Sequence, residues 1–162
     1  MSVKWNGMKL LKTIADNEAA AAKFYKTIAS EARIGEGFFD ILAKDEERHE
    51  GIYKALLDKH AKDVDVEIDE NDAGYMDSLV DNNLVFDEEL IEKAKNIYTK
   101  DQIFDLAEKA ERDTVMYVIE LQRLYPDLAK DEMKIILKEE KAHLKMVLDR
   151  KKENRMSVNL ML

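Results

Sequence analysis

The sequence predicts an all-α protein: a four-helix bundle of two antiparallel helical hairpins joined by a long connection. Two observations favour helices. The 162 residues include only one proline and five glycines, and apolar residues recur with a period of about 3.6. A third observation, the chain length, suits one domain with a sizeable core, which we expect to span residues 1–162.

The first hairpin is predicted to contain helices over about Lys4–Ala32 and Gly37–His60. Gly35 and Gly37 interrupt the helical pattern between them. Residues 61–87 then lose the helical period, with at most a short turn near Tyr75–Val80. We therefore predict that this segment is the long connection.

The second hairpin follows a short predicted helix at Glu88–Tyr98. Its helices are expected over about Asp101–Tyr125 and from after Pro126 to about Asn154. Two hairpins joined by a connection of this length are typical of a four-helix bundle with one crossover. The remaining tail, residues 155–162, is apolar enough to dock on another surface, and we expect a homodimer.

Charge and composition exclude several classes of function. The net charge is −9, which argues against nucleic acid or an anionic membrane as a partner. The absence of cysteine excludes disulfides, thiolate metal sites and a cysteine nucleophile. The sequence starts without the apolar stretch of a signal peptide and no run could span a membrane, so we expect a cytoplasmic protein.

Two of the three histidines end the same four-residue phrase, Glu-x-x-His. Each phrase follows a single glutamate 28 or 29 residues upstream, inside a helical pattern. Four carboxylates and two imidazoles are the ligand set with which helical bundles hold two iron or manganese ions. The candidate metal ligands are Glu18, Glu46, His49, Glu111, Glu140 and His143.

The sequence contains 18 glutamates, so the Glu-x-x-His phrases could arise by chance. Helical geometry argues against that explanation. All four glutamates lie on apolar stripes, where an unpaired carboxylate is costly, and no lysine or arginine shares those arcs. The midpoint of Glu18 and Glu46 is Ala32, and that of Glu111 and Glu140 lies beside Pro126. Both pairs can therefore meet across their turns.

The spacing also predicts a role for each residue. Each Glu-x-x-His can hold one ion through its imidazole while its carboxylate bridges to the other ion, and Glu18 and Glu111 complete one ion each. Glu108 and Glu50 are possible extra ligands at the edge of the apolar stripes. Tyr25 faces the same core, where it either packs or donates a hydrogen bond to a ligating carboxylate. The residues predicted to lie off the site are Glu47, Glu139 and His60.

Carboxylate-rich sites with one imidazole per ion suit iron or manganese, although zinc can occupy them. Two iron ions can each give up one electron, which would deliver a two-electron step to dioxygen or hydrogen peroxide. Spacing alone goes no further than this.

The segment NEAAAAKFYKTIASEA and the phrases AKDEERH and KEEKAH resemble the rubrerythrin branch of the ferritin-like superfamily. The likeness covers both hairpins. It implies a ferritin-like bundle with two iron ions, which reduces hydrogen peroxide with electrons from a small carrier. Carried over position by position, the family's ligands are the same six residues.

Two departures from the family pattern matter. Full-length rubrerythrins carry a rubredoxin domain with Cys-x-x-Cys ligands, so a chain without cysteine is expected to need an external electron donor such as a rubredoxin. The family also places a further glutamate three residues after its ligand on the third bundle helix. That position is Thr114 if the ligand is Glu111, and Glu111 itself if the ligand is Glu108. The helical wheel favours Glu111.

Peroxide reduction is therefore the first predicted function. A ferrous iron oxidase that consumes dioxygen for iron storage or transfer is the alternative from the same superfamily. A metal-stabilised binding module without turnover, and a purely structural bundle with protonated glutamates, remain open as well.

Overall fold

The computed structural model describes residues 1–34, 37–60 and 64–161, which form six helices and two short strands. The predicted break at Gly35, the first residues of the predicted connection (61–63) and Leu162 lie outside the described residues. In chain order, the elements are β1 (Ser2–Asn6), α1 (Met8–Ala29), α2 (Phe38–His60), β2 (Asp65–Asp69), α3 (Glu70–Asp81), α4 (Glu88–Asn96), α5 (Lys100–Leu124) and α6 (Lys130–Leu160).

The four long helices confirm the predicted all-α, four-helix bundle. The first hairpin pairs α1 with α2, and the second pairs α5 with α6. A capping box starts α5: Thr99 Oγ1 accepts from the Gln102 backbone N–H at 3.2 Å, and the Gln102 side chain accepts from the Thr99 backbone N–H at 2.9 Å. This cap sets the residue at which α5 begins.

The connection between the hairpins holds more structure than the sequence predicted. Strand β2 pairs antiparallel with β1, with Val3 opposite Ile68 and Trp5 opposite Val66. The predicted helix start at Lys4 was therefore wrong. Each strand is only five residues long, and an alternation that short is a weak signal.

Helix α3 is a second correction, because the sequence indicated at most a short turn at Tyr75–Val80. The helix covers 12 residues and starts where the Asp69 side chain accepts from the Asn71 backbone N–H at 2.8 Å. Its aspartates, asparagine and glycine have poor helix propensity. Burial of Ala73 and Met76 against the bundle outweighs that propensity.

Two boundaries differ by less. Helix α1 ends at Ala29 rather than Ala32, and α6 continues to Leu160, six residues beyond the predicted end. The described part of the predicted tail is therefore mostly helical, with Met156, Val158 and Leu160 exposed. Docking of this end on a second subunit stays a prediction.

The bundle interior divides into two apolar clusters along its length. We call them the Trp5 core, which includes Trp5, Ile14, Tyr53 and Leu121, and the Phe39 core, which includes Tyr25, Phe39, Phe86 and Phe104. Along every long helix the predicted site residues fall between members of the two cores: on α1, for example, Glu18 follows Ala15 of the Trp5 core and precedes Ala21 of the Phe39 core. None of the described helices is both long enough and apolar enough to cross a lipid bilayer.

Candidate metal centre

The structure brings all six predicted residues into one buried layer between the two cores. None of them is more than 3% exposed, although all six are ionisable. Two come from α2, two from α6 and one each from α1 and α5. The residues of this layer are Glu18, Glu46, His49, Glu111, Glu140 and His143.

Within the layer, the side chains form two groups of four that share two members. In each group, the candidate ligand atoms lie within 4.8 Å of one another. Glu46 and Glu140 belong to both groups, and each group adds one histidine and one further glutamate. The His49 group is completed by Glu18, and the His143 group by Glu111.

Each shared glutamate presents one carboxylate oxygen to each histidine. Glu46 Oε2 lies 3.3 Å from His49 Nδ1, while Glu46 Oε1 lies 3.2 Å from His143 Nδ1. Glu140 Oε1 lies 2.6 Å from His49 Nδ1, while Glu140 Oε2 lies 3.4 Å from His143 Nδ1. This is the arrangement of two carboxylates that bridge a pair of cations.

The two remaining glutamates each approach only one histidine. Glu18 Oε2 lies 3.6 Å from His49 Nδ1, and Glu111 Oε2 lies 3.7 Å from His143 Nδ1. The two imidazole rings are 5.9 Å apart, measured between centroids. Each group therefore has its own histidine and its own terminal carboxylate.

Unsatisfied polar atoms concentrate in this layer. Among the described residues, eight buried side-chain oxygens and nitrogens have no hydrogen-bond partner, and seven of them belong to the six residues of the layer. Each such atom destabilises a fold by about 1–3 kcal/mol. Cations bound between them would satisfy these atoms, and four carboxylates would balance the charge of two divalent ions. The residues fit a di-metal site.

Burial and mutual repulsion shift the acid–base properties of the layer. Burial raises the pKa of Glu18 and of Glu111 well above the usual value, and the neighbouring Glu46 and Glu140 raise both further. Burial tends to lower the pKa of His143, but the carboxylates of Glu140 and Glu46 outweigh it and raise that pKa to about 11. Without bound cations, the layer therefore retains protons at neutral pH.

The outer nitrogen of each histidine contacts a carboxylate from the opposite hairpin. His49 Nε2 lies 2.8 Å from Glu139 Oε2, and His143 Nε2 lies 3.0 Å from Asp45 Oδ2. Since a carboxylate can only accept, each Nε2 carries a proton, and each Nδ1 faces the layer, where its lone pair would be available to a bound cation once its own proton is displaced. Arg48 Nη2 also holds Glu139, at 2.6 Å.

These two carboxylates were missed by the sequence analysis, and Glu139 was predicted to lie off the site. Glu139 does lie at the edge of the buried face of α6, with its side chain 32% exposed, but its carboxylate contacts the His49 ring. One signal could have identified both residues. Asp45 and Glu139 immediately precede the two shared glutamates in the sequence.

Of the other residues predicted near the site, Tyr25 contacts the layer, whereas Glu108 and Glu50 do not. The Tyr25 hydroxyl donates a hydrogen bond to Glu111 Oε1. Glu108 instead pairs with Lys151, at 2.5 Å, and Glu50 pairs with Lys54. The structure therefore brings Glu111, and not Glu108, into the layer from α5. Neither group contains Glu47, Glu50, Glu108 or His60. Glu47 pairs instead with Lys26.

A protein-family model described as Rubrerythrin matches residues 9–150. The matched range contains all six residues of the buried layer. No curated protein sequence and no solved structure matches the chain significantly.

Proposed function

The chain belongs to the rubrerythrin family, and from this premise we propose that it is a di-iron oxidoreductase that reduces hydrogen peroxide with electrons from an external carrier. One observation carries the proposal: two groups of buried ligand atoms share two glutamates, each of which offers one oxygen to either side. Such sharing suits two metal ions that act on one small molecule together.

The ligand assignment follows the two groups. His49 and Glu18 would hold the first ion, His143 and Glu111 would hold the second, and Glu46 and Glu140 would be shared between them. Two ferrous ions held in this way can supply one electron each, so that hydrogen peroxide and two protons yield two water molecules. Four carboxylates against two divalent ions leave the buried layer without net charge, which reduces the cost of burying it.

The surrounding side chains orient the ligands. Asp45 and Glu139 accept from the outer nitrogens of the histidines and thereby aim each Nδ1 at the layer. Tyr25 fixes one oxygen of Glu111. The apolar cores on both sides limit the access of water, so that the carboxylates interact strongly with any bound cation.

The electrons would come from a separate redox centre, because none of the 162 residues is a cysteine that could hold an iron–sulfur centre. A small carrier such as a rubredoxin would fit this role. A homodimeric assembly and a cytoplasmic location complete the proposal, and both rest on the sequence analysis.

The experiment compares oxidants. Protein loaded anaerobically with Fe(II) is mixed with hydrogen peroxide or with dioxygen, and iron oxidation is followed by absorbance. We expect two iron ions per chain and much faster oxidation by peroxide. Faster oxidation by dioxygen would instead indicate a ferrous iron oxidase, and failure to bind iron or manganese would refute the metal site. Glu46→Gln should lose iron, whereas the matched Glu47→Gln, at an exposed neighbour paired with Lys26, should retain both ions.

A further inference from the structure

The eighth unsatisfied atom is the hydroxyl oxygen of Tyr53, which the ligand assignment leaves unused. The Tyr53 side chain is fully buried, and its hydroxyl has no hydrogen-bond partner among the described residues. A phenylalanine would fill the same space without leaving a polar atom unsatisfied. The hydroxyl therefore requires an explanation other than packing.

Tyr53 lies next to the metal layer on α2. It is four residues after His49 and seven after Glu46, so all three share one helix face. Side chains on a helix lean toward its N-terminus, and the Tyr53 ring therefore leans from the Trp5 core toward the layer. Tyr25 occupies the opposite side of the layer, in the Phe39 core.

The four positions that come seven residues after the four glutamates can be compared directly. All four are fully buried. The first hairpin has tyrosine at both of its positions, and the second hairpin has valine at both. The four residues are Tyr25, Tyr53, Val118 and Val147. Two hydroxyl groups thus stand at these positions, and among the described residues only that of Tyr25 has a partner, Glu111.

The surroundings of Tyr53 keep its hydroxyl protonated. Burial raises the pKa of this hydroxyl well above its usual value, and the carboxylates of Glu18, Glu140 and Glu46 raise it further. These three carboxylates are those of the His49 group. Tyr53 is therefore a hydrogen-bond donor, and its position four residues after His49 on the same helix face puts it beside the His49 group.

We propose that the Tyr53 hydroxyl binds the oxidant, by donating a hydrogen bond to an oxygen atom of the small molecule that reacts on the His49 side of the layer. The identity of that molecule as hydrogen peroxide rests on the proposed function. The donor itself suits any small ligand with a lone pair, including dioxygen-derived species and azide. Tyr53 is then a substrate-binding residue in addition to the six metal ligands.

The test uses azide as a small, unreactive probe of the oxidised, iron-loaded protein, with its dissociation constant measured by absorbance. Tyr53→Phe should retain two iron ions per chain and bind azide about tenfold more weakly, as expected for one lost hydrogen bond. The rate of oxidation of the Fe(II) protein by hydrogen peroxide should fall by a similar factor. The melting temperature of the chelator-treated variant should be no lower than that of the wild type, since the lost hydroxyl has no hydrogen-bond partner in the described part of the chain.

The chain offers a matched control in Tyr117, a buried tyrosine whose hydroxyl donates to the Leu79 carbonyl at 2.9 Å. Tyr117→Phe should show the opposite pattern, with a lower melting temperature and an unchanged affinity for azide. Unchanged azide affinity in Tyr53→Phe would overturn the inference, as would a drop in melting temperature as large as that of Tyr117→Phe. If the wild type binds iron and azide but its Fe(II) is oxidised faster by dioxygen than by peroxide, the proposed peroxidase function is refuted. The role of Tyr53 is then decided by the azide affinity of Tyr53→Phe alone. A wild type that binds no metal would refute both.

Discussion

Replacement of Glu18 by glutamine tests the ligand assignment most sharply, because it should remove one ion and leave the other. Glu18 belongs only to the His49 group, so the His143 group stays complete in the variant. Glutamine has almost the same shape as the protonated acid. Because burial already raises the pKa of Glu18, the metal-free variant should be at least as stable as the metal-free wild type.

The magnitude follows from mass action. An ion present at about 1,000 times its dissociation constant stabilises the folded state by about 4 kcal/mol. For a chain of this size, each kcal/mol raises the melting temperature by about 2–4 °C. Each bound ion should therefore raise the melting temperature by about 8–16 °C, and the wild type should show about twice the shift of Glu18→Gln.

Circular dichroism melts, with Mn(II) or anaerobic Fe(II) titrated into chelator-treated protein, measure this difference. Glu47→Gln is the control, since Glu47 is exposed and pairs with Lys26 at 3.6 Å. If Glu18→Gln kept the full shift of the wild type, the assignment of two separate groups would be wrong. No shift in the wild type with any divalent metal would indicate a structural bundle with protonated glutamates.

Three further predictions concern pH, the outer carboxylates and the glycines. Glu18 and His143 have folded-state pKa values above their usual ones, so the folded, metal-free chain binds more protons than the unfolded chain. Its melting temperature should therefore fall as the pH rises from 5 to 8. Over the same range, metal affinity measured by chelator competition should rise, because bound ions must displace those protons. Asp45→Ala and Glu139→Ala should each weaken metal binding by about 10–100-fold in the same competition assay, and an effect no larger than that of an exposed carboxylate would contradict their contact with the histidines. A Cβ at Gly7 would lie 2.6 Å from the Val64 carbonyl oxygen and closer still to the Tyr125 side chain, whereas a Cβ at Gly51 would meet nothing within 4 Å. In urea unfolding, Gly7→Ala should therefore lower the free energy of unfolding. Gly51→Ala, in the middle of α2, should raise it by up to about 1 kcal/mol.

The sequence predicted the bundle and its buried layer well because both depend on the helical period. Four glutamates spaced on apolar stripes can be placed on helix faces by counting, and their meeting across two turns follows from the midpoints of the hairpins. Helix phase is a local property of the chain, so the choice of Glu111 over Glu108 could also be made from the wheel.

The missed features depend on contacts between distant segments. Strands β1 and β2 pair residues that are 59 to 67 positions apart, and neither alternation is long enough to indicate a strand alone. Glu139 lies off the centre of its own helix, and only the position of His49 on α2 makes it part of the site. Whether a buried hydroxyl such as that of Tyr53 has a partner likewise cannot be read from its own helix.

The two hairpins repeat the ligands but not the groups around them, and this difference bears on how the two ions would act. On the proposed assignment, Tyr25 of the first hairpin fixes Glu111, the terminal carboxylate of the second ion. Glu18 and Glu111 each keep one oxygen without a hydrogen-bond partner among the described residues, so the two sides differ in their tyrosines: the hydroxyl of Tyr53, four residues after His49, is uncommitted. A small oxygen ligand can therefore gain a hydrogen bond on the His49 side, whereas on the His143 side the available hydroxyl already serves the protein. Equivalent valines in the second hairpin offer no donor at all. The internal repeat thus explains why the layer can hold two ions, and the departure from the repeat explains why the His49 side would be the one that receives the oxidant.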